Sequence, residues 1–217
     1  MNVEQARTNM VDQQIRSWEV LDSRVLEVLR EVPREAFVPA RHRKIAFSDL
    51  RIPLGHDQMM MKPIEQGRLL QGMSLRGDDE VLEIGTGSGF LTACLAKLSK
   101  AVTSIEIIGD LAEQANANLE GHGANNIDLH IGDVLEAGFD DGAFNVMVVT
   151  ASVASIPDQF VRWLRPGGRM FIVRGKAPAM EALAVTRSES GRLAEQSLFD
   201  TNLPRLIGAE DAPVFSF

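Results

Sequence analysis

Hydrophobic and polar positions follow two regimes along the 217-residue chain. In residues 4–31, Val20, Leu21, Val25, Leu26, Val28 and Leu29 recur at helical spacing and predict helices. Asp22 stands where an N-cap would start the second of them. Pro33 and Pro39, within "VPREAFVPA", close that region. Residues 45–63, holding Pro53, Gly55 and Pro63, read as irregular. Residues 64–75 turn helical again, with Ile64, Leu69, Leu70 and Met73 on one side.

From Glu80 the period changes. "EVLEIG", "AVTSIEI", "IDLHIGD" and "FNVMVVTA" read as strands, separated by the helical stretches "GFLTACLAKLS" and "DLAEQANANLEGHG". Gly121 or Gly123 stops the second helix. The unbroken apolar run of "FNVMVVTA" predicts a strand buried on both faces. "IPDQFVRWL" reads as a short helix, "RPGG" as a turn and "RMFIVRG" as a strand. "MEALAVTRSESGRLAEQSLFD" reads as two β segments joined around "SESG". The tail, with Pro204 and Pro213, reads as irregular. Alternation this tight predicts a doubly wound α/β fold with a mostly parallel, seven-stranded sheet and an N-terminal helical addition. Residues 1–75 are expected to cover the substrate side of a core over residues 76–217, in one compact unit.

Composition narrows the function. A net charge of -8 disfavours non-specific binding to nucleic acid, which needs Lys and Arg against phosphates. The basic run at residues 41–44 reads as a solvated connector. One cysteine, Cys94, excludes an intrachain disulfide and suits a reducing compartment, here the cytoplasm. Cys94 reads as a small core residue, and Trp18 and Trp163 as packing residues. The first 20 residues are polar, and no apolar run has the length of a membrane span. No His, Cys, Asp or Glu group shows metal-ligand spacing.

Chemistry enters at "VLEIGTGSGFL". Gly85, Gly87 and Gly89 leave the first strand and lead into a helix, where the backbone can turn sharply and approach a ligand. A P-loop would need Gly-Lys-Ser/Thr, which is missing, and the dinucleotide fingerprint would need its third glycine one residue later. Glu106 ends the second strand, where an acid suits ribose hydroxyls. Asp133 follows the third strand, and Thr150 ends the fourth. Either acid alone reads equally well as a helix cap. All of them in register point to a ligand site along the C-terminal edge of the sheet.

The acid-x-Gly-x-Gly-x-Gly form resembles the first motif of class I S-adenosylmethionine methyltransferases, and "LRPGGRMFIV" resembles a later turn of that Rossmann-like fold. The match narrows through Val32-Pro33-Arg34, Phe37-Val38, Asp49, Ile52-Pro53-Leu54-Gly55, Gln58, Pro63, residues 81–93 and residues 144–157. In that order they resemble the protein-L-isoaspartate O-methyltransferase family, over nearly the whole chain. The resemblance implies methyl transfer from S-adenosylmethionine to a carboxylate on damaged protein, leaving S-adenosylhomocysteine. It implies cofactor contacts from Gln58, Glu83, Gly85, Thr86, Gly87, Ser88, Gly89, Glu106, Ile107, Asp133, Val134 and Thr150. On the substrate side it implies Ile52, Pro53, Leu54, Gly55, Met59, Met60, Met61, Leu203 and Pro204.

The departures from the family pattern matter too. Its Thr-Ile-Ser is Met59-Met60-Met61 here, so Met61 replaces the serine assigned an active-site role. A thioether cannot donate a hydrogen bond. The family's "VPL" segment, which closes over substrate, appears as Leu203-Pro204-Arg205. A carboxylate acceptor is already ionised at neutral pH and needs no general base. An amine or hydroxyl would need one, for which His56 is the candidate, read otherwise as a plain loop histidine. The methionines read equally as packing or as an altered pocket, and Glu65 as a surface charge. Two rival functions remain open: methylation of another, apolar small-molecule acceptor, and cofactor binding without catalysis. Oligomeric state is not legible.

Overall fold

A computed structural model describes residues 2–209. Helix α1 (Val3–Asn9) starts where the Asn2 side chain accepts the Gln5 N–H. Its turns widen over Met10–Ile15, tighten over Arg16–Trp18 and stop at Glu19, which is left-handed. Asp22 caps α2 (Ser23–Glu31) as the sequence predicts, accepting from the Arg24 N–H, and Val25, Leu26, Val28 and Leu29 are buried. Trp18 departs from expectation. It lies 55% exposed at the end of the tight turn. Residues 41–44 lie within the short turn Ala40–Ile45, whose charged side chains face mostly solvent.

The supposedly irregular segment 45–63 holds a hairpin. Strand β1 (Ile52–Gly55) pairs antiparallel with β2 (Gln58–Met60). Its turn is His56-Asp57, both at positive φ. Strands of four and three residues show no alternation, and His-Asp is not the Asn-Gly type of turn signal. Helix α3 (Pro63–Met73) opens with Pro63, and the Glu65 carboxylate reaches back to the Lys62 N–H. Glu65 is therefore no surface charge. It is buried and bonded to Arg51 at 2.7 Å and Thr201 at 2.8 Å.

The sheet is built from β3 (Glu80–Ile84), β4 (Ala101–Glu106), β5 (Ile127–Ile131), β6 (Phe144–Val153), β7 (Leu164–Lys176), β8 (Ala179–Arg187) and β9 (Leu193–Thr201). Their order is β5-β4-β3-β6-β7-β8-β9, parallel as far as β7 and antiparallel beyond. Helices α4 (Phe90–Leu98) and α5 (Gly109–Glu120) cross from β3 to β4 to β5, and α6 (Asp158–Trp163) precedes β7. Alternate residues of β6 feed two cores. Val146 and Val148 face the N-terminal helices and α4, while Met147 and Val149 join Phe160 and Trp163 on the other face. The "RPGG" turn is a correction as well. It lies inside β7, where pairing jumps from Phe144–Leu164 to Val146–Arg169, so residues 165–168 bulge without ending the strand. Pro204 lies in a segment without strand or helix; Pro213 and the rest of the tail expected to be irregular lie outside the described residues.

Candidate active site

The chain steps one way from β3 to β4 and the other way to β6, so a crevice opens beyond the carboxyl ends of these three strands. It holds about 910 Å³, its open mouth included. Gly85, Thr86, Gly87 and Ser88 line it from the β3–α4 loop, Glu106 from the end of β4 and Ile107 just after it, Asp133 and Val134 after β5, and Thr150 from β6.

The glycine loop is held from several sides. Gly85, Gly87 and Gly89 have φ of 91°, 56° and 83°. A Cβ on Gly85 would strike the Thr150 hydroxyl, and one on Gly87 would come 3.2 Å from a Leu54 methyl. Gly89 is not on the crevice at all: a Cβ there would press on Leu119 and Ala115 of α5. The third glycine thus serves helix packing rather than a ligand. Thr150 Oγ1 lies 3.0 Å from the Ile84 carbonyl and 2.8 Å from that of Gly85, and its proton ties β6 to the loop.

Both acids carry out a local task while facing the crevice. Glu106, 5% exposed, accepts the Gly87 N–H at 2.9 Å on one oxygen and the Ile108 N–H at 3.1 Å on the other. Each oxygen keeps a second lone pair for another donor. Asp133 caps a short turn through the Leu135 N–H at 2.8 Å, so the cap reading and the crevice reading both hold for it.

Glu83 departs from its expected place. It is fully buried beneath the loop, off the crevice, accepting from Thr92 at 2.6 Å and Ser104 at 2.7 Å. Thr86 lies 2.7 Å from the same Ser104 hydroxyl, which links the loop to this buried acid. Burial raises the Glu83 carboxyl to about 7, against the pull of the two hydroxyls.

The hairpin closes the near side. Leu54, Gln58, Met59, Met60 and Met61 line the crevice, Met60 and Met61 being buried. Ile52, Pro53 and Gly55 do not reach it. They form the paired back strand, with Ile52 fully buried against Met60. His56 also misses the crevice: it sits at the exposed turn, its Nε2 3.0 Å from Asp110 Oδ2. The far side is closed by residues 203–207. Ser152 donates its N–H to the Pro204 carbonyl at 2.8 Å and accepts the Leu206 N–H at 2.9 Å. Pro204, Arg205, Leu206 and Ile207 line the crevice, whereas Leu203 is buried behind it. Cys94 is a core residue as expected, its thiol pushed up by burial. Among the described residues no group of three His, Cys, Asp or Glu could hold a metal ion.

A family model described as protein-L-isoaspartate(D-aspartate) O-methyltransferase matches residues 5–202. The chain belongs to this family. A protein-L-isoaspartate O-methyltransferase of Koribacter versatilis is 37% identical over 202 residues, 93% of this chain and 90% of the relative. One of Opitutus terrae is 37% identical over 193 residues, covering 87% and 83%. A Plasmodium falciparum structure, described as this methyltransferase in complex with S-adenosyl-L-homocysteine, superposes with TM-score 0.80 at 19% identity, over 92% of this chain and 97% of that one. A second protein-L-isoaspartate O-methyltransferase gives 0.78 at 21% identity, over 92% and 65%. These two show the fold, and membership makes the chain an S-adenosylmethionine-dependent methyltransferase.

One polar residue of this family member, Gln66 on α3, escaped the sequence reading as a site residue, and it lines the crevice; Arg205, expected only as part of the closing segment, lines it too. Behind Gln66 lies Arg34, fully buried, whose guanidinium burial pulls down to about 9, so it stays charged at neutral pH. The signal was faint: an arginine inside the apolar stretch "VPREAFV", read only as part of a motif.

Proposed function

We propose that this methyltransferase moves the methyl of S-adenosylmethionine onto the carboxylate of an L-isoaspartyl residue in damaged protein. One observation carries the choice of a carboxylate. Among the described residues lining the crevice there is no histidine, lysine, cysteine or tyrosine, and both acids already bind main-chain N–H groups. No side chain is placed to deprotonate an amine or hydroxyl, so the acceptor has to arrive ionised, as a carboxylate does. His56, the candidate base, is paired with Asp110 at the rim.

The residues fit the cofactor. Glu106 retains lone pairs for the two ribose hydroxyls, and Ile107 and Val134 offer apolar surfaces for the adenine, with Asp133 beside them. The main chain at Gly85 and Gly87, with Thr86, Ser88, Thr150 and Gln58, would enclose the amino-acid end. The bound cofactor supplies an electrophilic methyl on a sulfonium. The protein's own work is orientation and exclusion of water, with Met59, Met60, Met61 and Leu54 walling one side and Pro204 the other. In this reading residues 1–75 cover the substrate side of a core over 76–217. The lone buried cysteine supports a cytoplasmic setting, and no helix of the described residues is long and apolar enough to cross a membrane.

Buried Met61 at the acceptor end favours a second reading, methylation of a different carboxylate. Incubation with methyl-labelled cofactor and a peptide carrying either isoaspartate or aspartate separates the two. Base-labile label on the isoaspartyl peptide alone is expected. Label on the aspartyl peptide alone supports the second reading, and label on neither overturns the choice of isoaspartate.

A further inference from the structure

Arg34 is fully buried, and among the described residues no carboxylate is bonded to it. Its Nε donates to the Ala46 carbonyl at 2.8 Å and its Nη2 to the Met61 carbonyl at 2.8 Å, while the Phe90 ring lies 5.0 Å from Cζ. The remaining nitrogen, Nη1, donates to Gln66 Oε1. Arginine has donors only, so this contact fixes the orientation of the Gln66 amide: oxygen toward Arg34, NH2 away from it. Gln66 is 3% exposed and lines the crevice. Its NH2 group has no hydrogen-bond partner among the described residues.

Resting on the acceptor reading above, we propose that the Gln66 amide holds the acceptor carboxylate, with Arg34 as the positioning residue behind it. Met61, held by the same guanidinium, brings no hydrogen bond to this end of the crevice. The crevice contains Glu106 and Asp133, and its cation, Arg205, stands on the far side beside Pro204; on the side of Met61, Gln66 offers a carboxylate two N–H groups. A neutral donor also suits the step. One carboxylate oxygen forms the new O–CH3 bond while the S–CH3 bond breaks, and its electrons leave with sulfur as a neutral thioether. The acceptor's negative charge is lost on the way. A full cation against it would therefore favour the ground state over the transition state. A neutral amide grips the second oxygen with less of that penalty, so its removal should act mainly on KM.

A carboxylate in place of the Gln66 amide cannot donate but can still accept from Arg34, so Gln66→Glu is the decisive variant. Gln66→Met removes the donor without adding charge. With isoaspartyl peptide, KM should rise about 10-fold in Gln66→Met and about 100-fold in Gln66→Glu, as expected for loss of a charge-assisted bond. kcat and the Kd of S-adenosylhomocysteine should stay within about 2-fold of wild type, and peptide binding to the S-adenosylhomocysteine-loaded protein should weaken in parallel with KM. Wild-type KM in a folded Gln66→Glu protein overturns the inference, because a purely structural Gln66 is satisfied by that substitution. An equal loss of S-adenosylhomocysteine affinity overturns it too, assigning the donor to the cofactor. A wild-type protein that neither methylates nor binds the peptide fails the functional reading instead, and this inference with it.

Discussion

Beneath the glycine loop, Glu83 has two hydroxyls on one oxygen and no partner on the other. Its carboxyl titrates near 4.5 in the unfolded chain and about 7 in the folded protein. Between those values the folded state keeps a proton that the unfolded chain has released. Stability therefore falls as pH rises from 4.5 to 7, by about 3 kcal/mol in all, and is level above that window. Urea melts across this range should show the slope in wild type and lose it in Glu83→Gln. A second residue-scale expectation concerns Gly85. Alanine there faces both a φ of 91° and the Thr150 hydroxyl, at a cost of about 1–3 kcal/mol, and the displaced loop should weaken S-adenosylhomocysteine at least 10-fold. Titration calorimetry of Gly85→Ala checks it. The sequence showed that these residues matter but not how. The spacing of the glycines cannot reveal that one of them faces α5, nor that Glu83 lies under the loop, because both facts depend on chain segments far away in sequence.

The β3–α4–β4–α5–β5 alternation was legible because strands of five or six residues, each carrying Val, Ile or Leu, alternate with helices of 9 and 12 residues. The hairpin was not, since its pairing spans few residues and its importance comes from what it touches. Leu54 covers Gly87, and the His56–Asp110 pair joins its turn to α5. These two contacts should differ in weight. The His56–Asp110 contact is exposed, 47% and 80%, and exposed contacts of that kind contribute little. Apolar cover at Leu54 is worth about 1 kcal/mol or more. Leu54→Ala should therefore weaken S-adenosylhomocysteine about 5- to 10-fold and speed amide exchange over residues 52–60. Asp110→Ala should change either by less than about 2-fold. Equal losses in the two variants would mean that the turn contact holds the hairpin down as strongly as the leucine does, against this expectation. Gln66 was hidden for a similar reason: its polarity makes sense only beside Arg34, 32 residues earlier in the chain.

The N-terminal helices and the sheet share one buried cluster, from Met10 and Leu29 through Leu69 to Val146 and Phe171. Ligand bound in a crevice between such parts stabilises all of them together. S-adenosylhomocysteine at about 100 times its Kd should add about 2.7 kcal/mol, a rise in Tm of roughly 5–10 °C for a chain of this size. Scanning calorimetry at several ligand concentrations checks it. The ligand site turns on Glu106, whose carboxylate closes the loop at Gly87 and faces the ligand side of the sheet. Its most direct test is calorimetric titration of S-adenosylhomocysteine into wild type and Glu106→Gln. One-to-one binding in wild type, weakened about 10- to 100-fold in a variant that still folds, is the expected result. Equal affinity in the two proteins, or no binding by wild type at millimolar ligand, would contradict it.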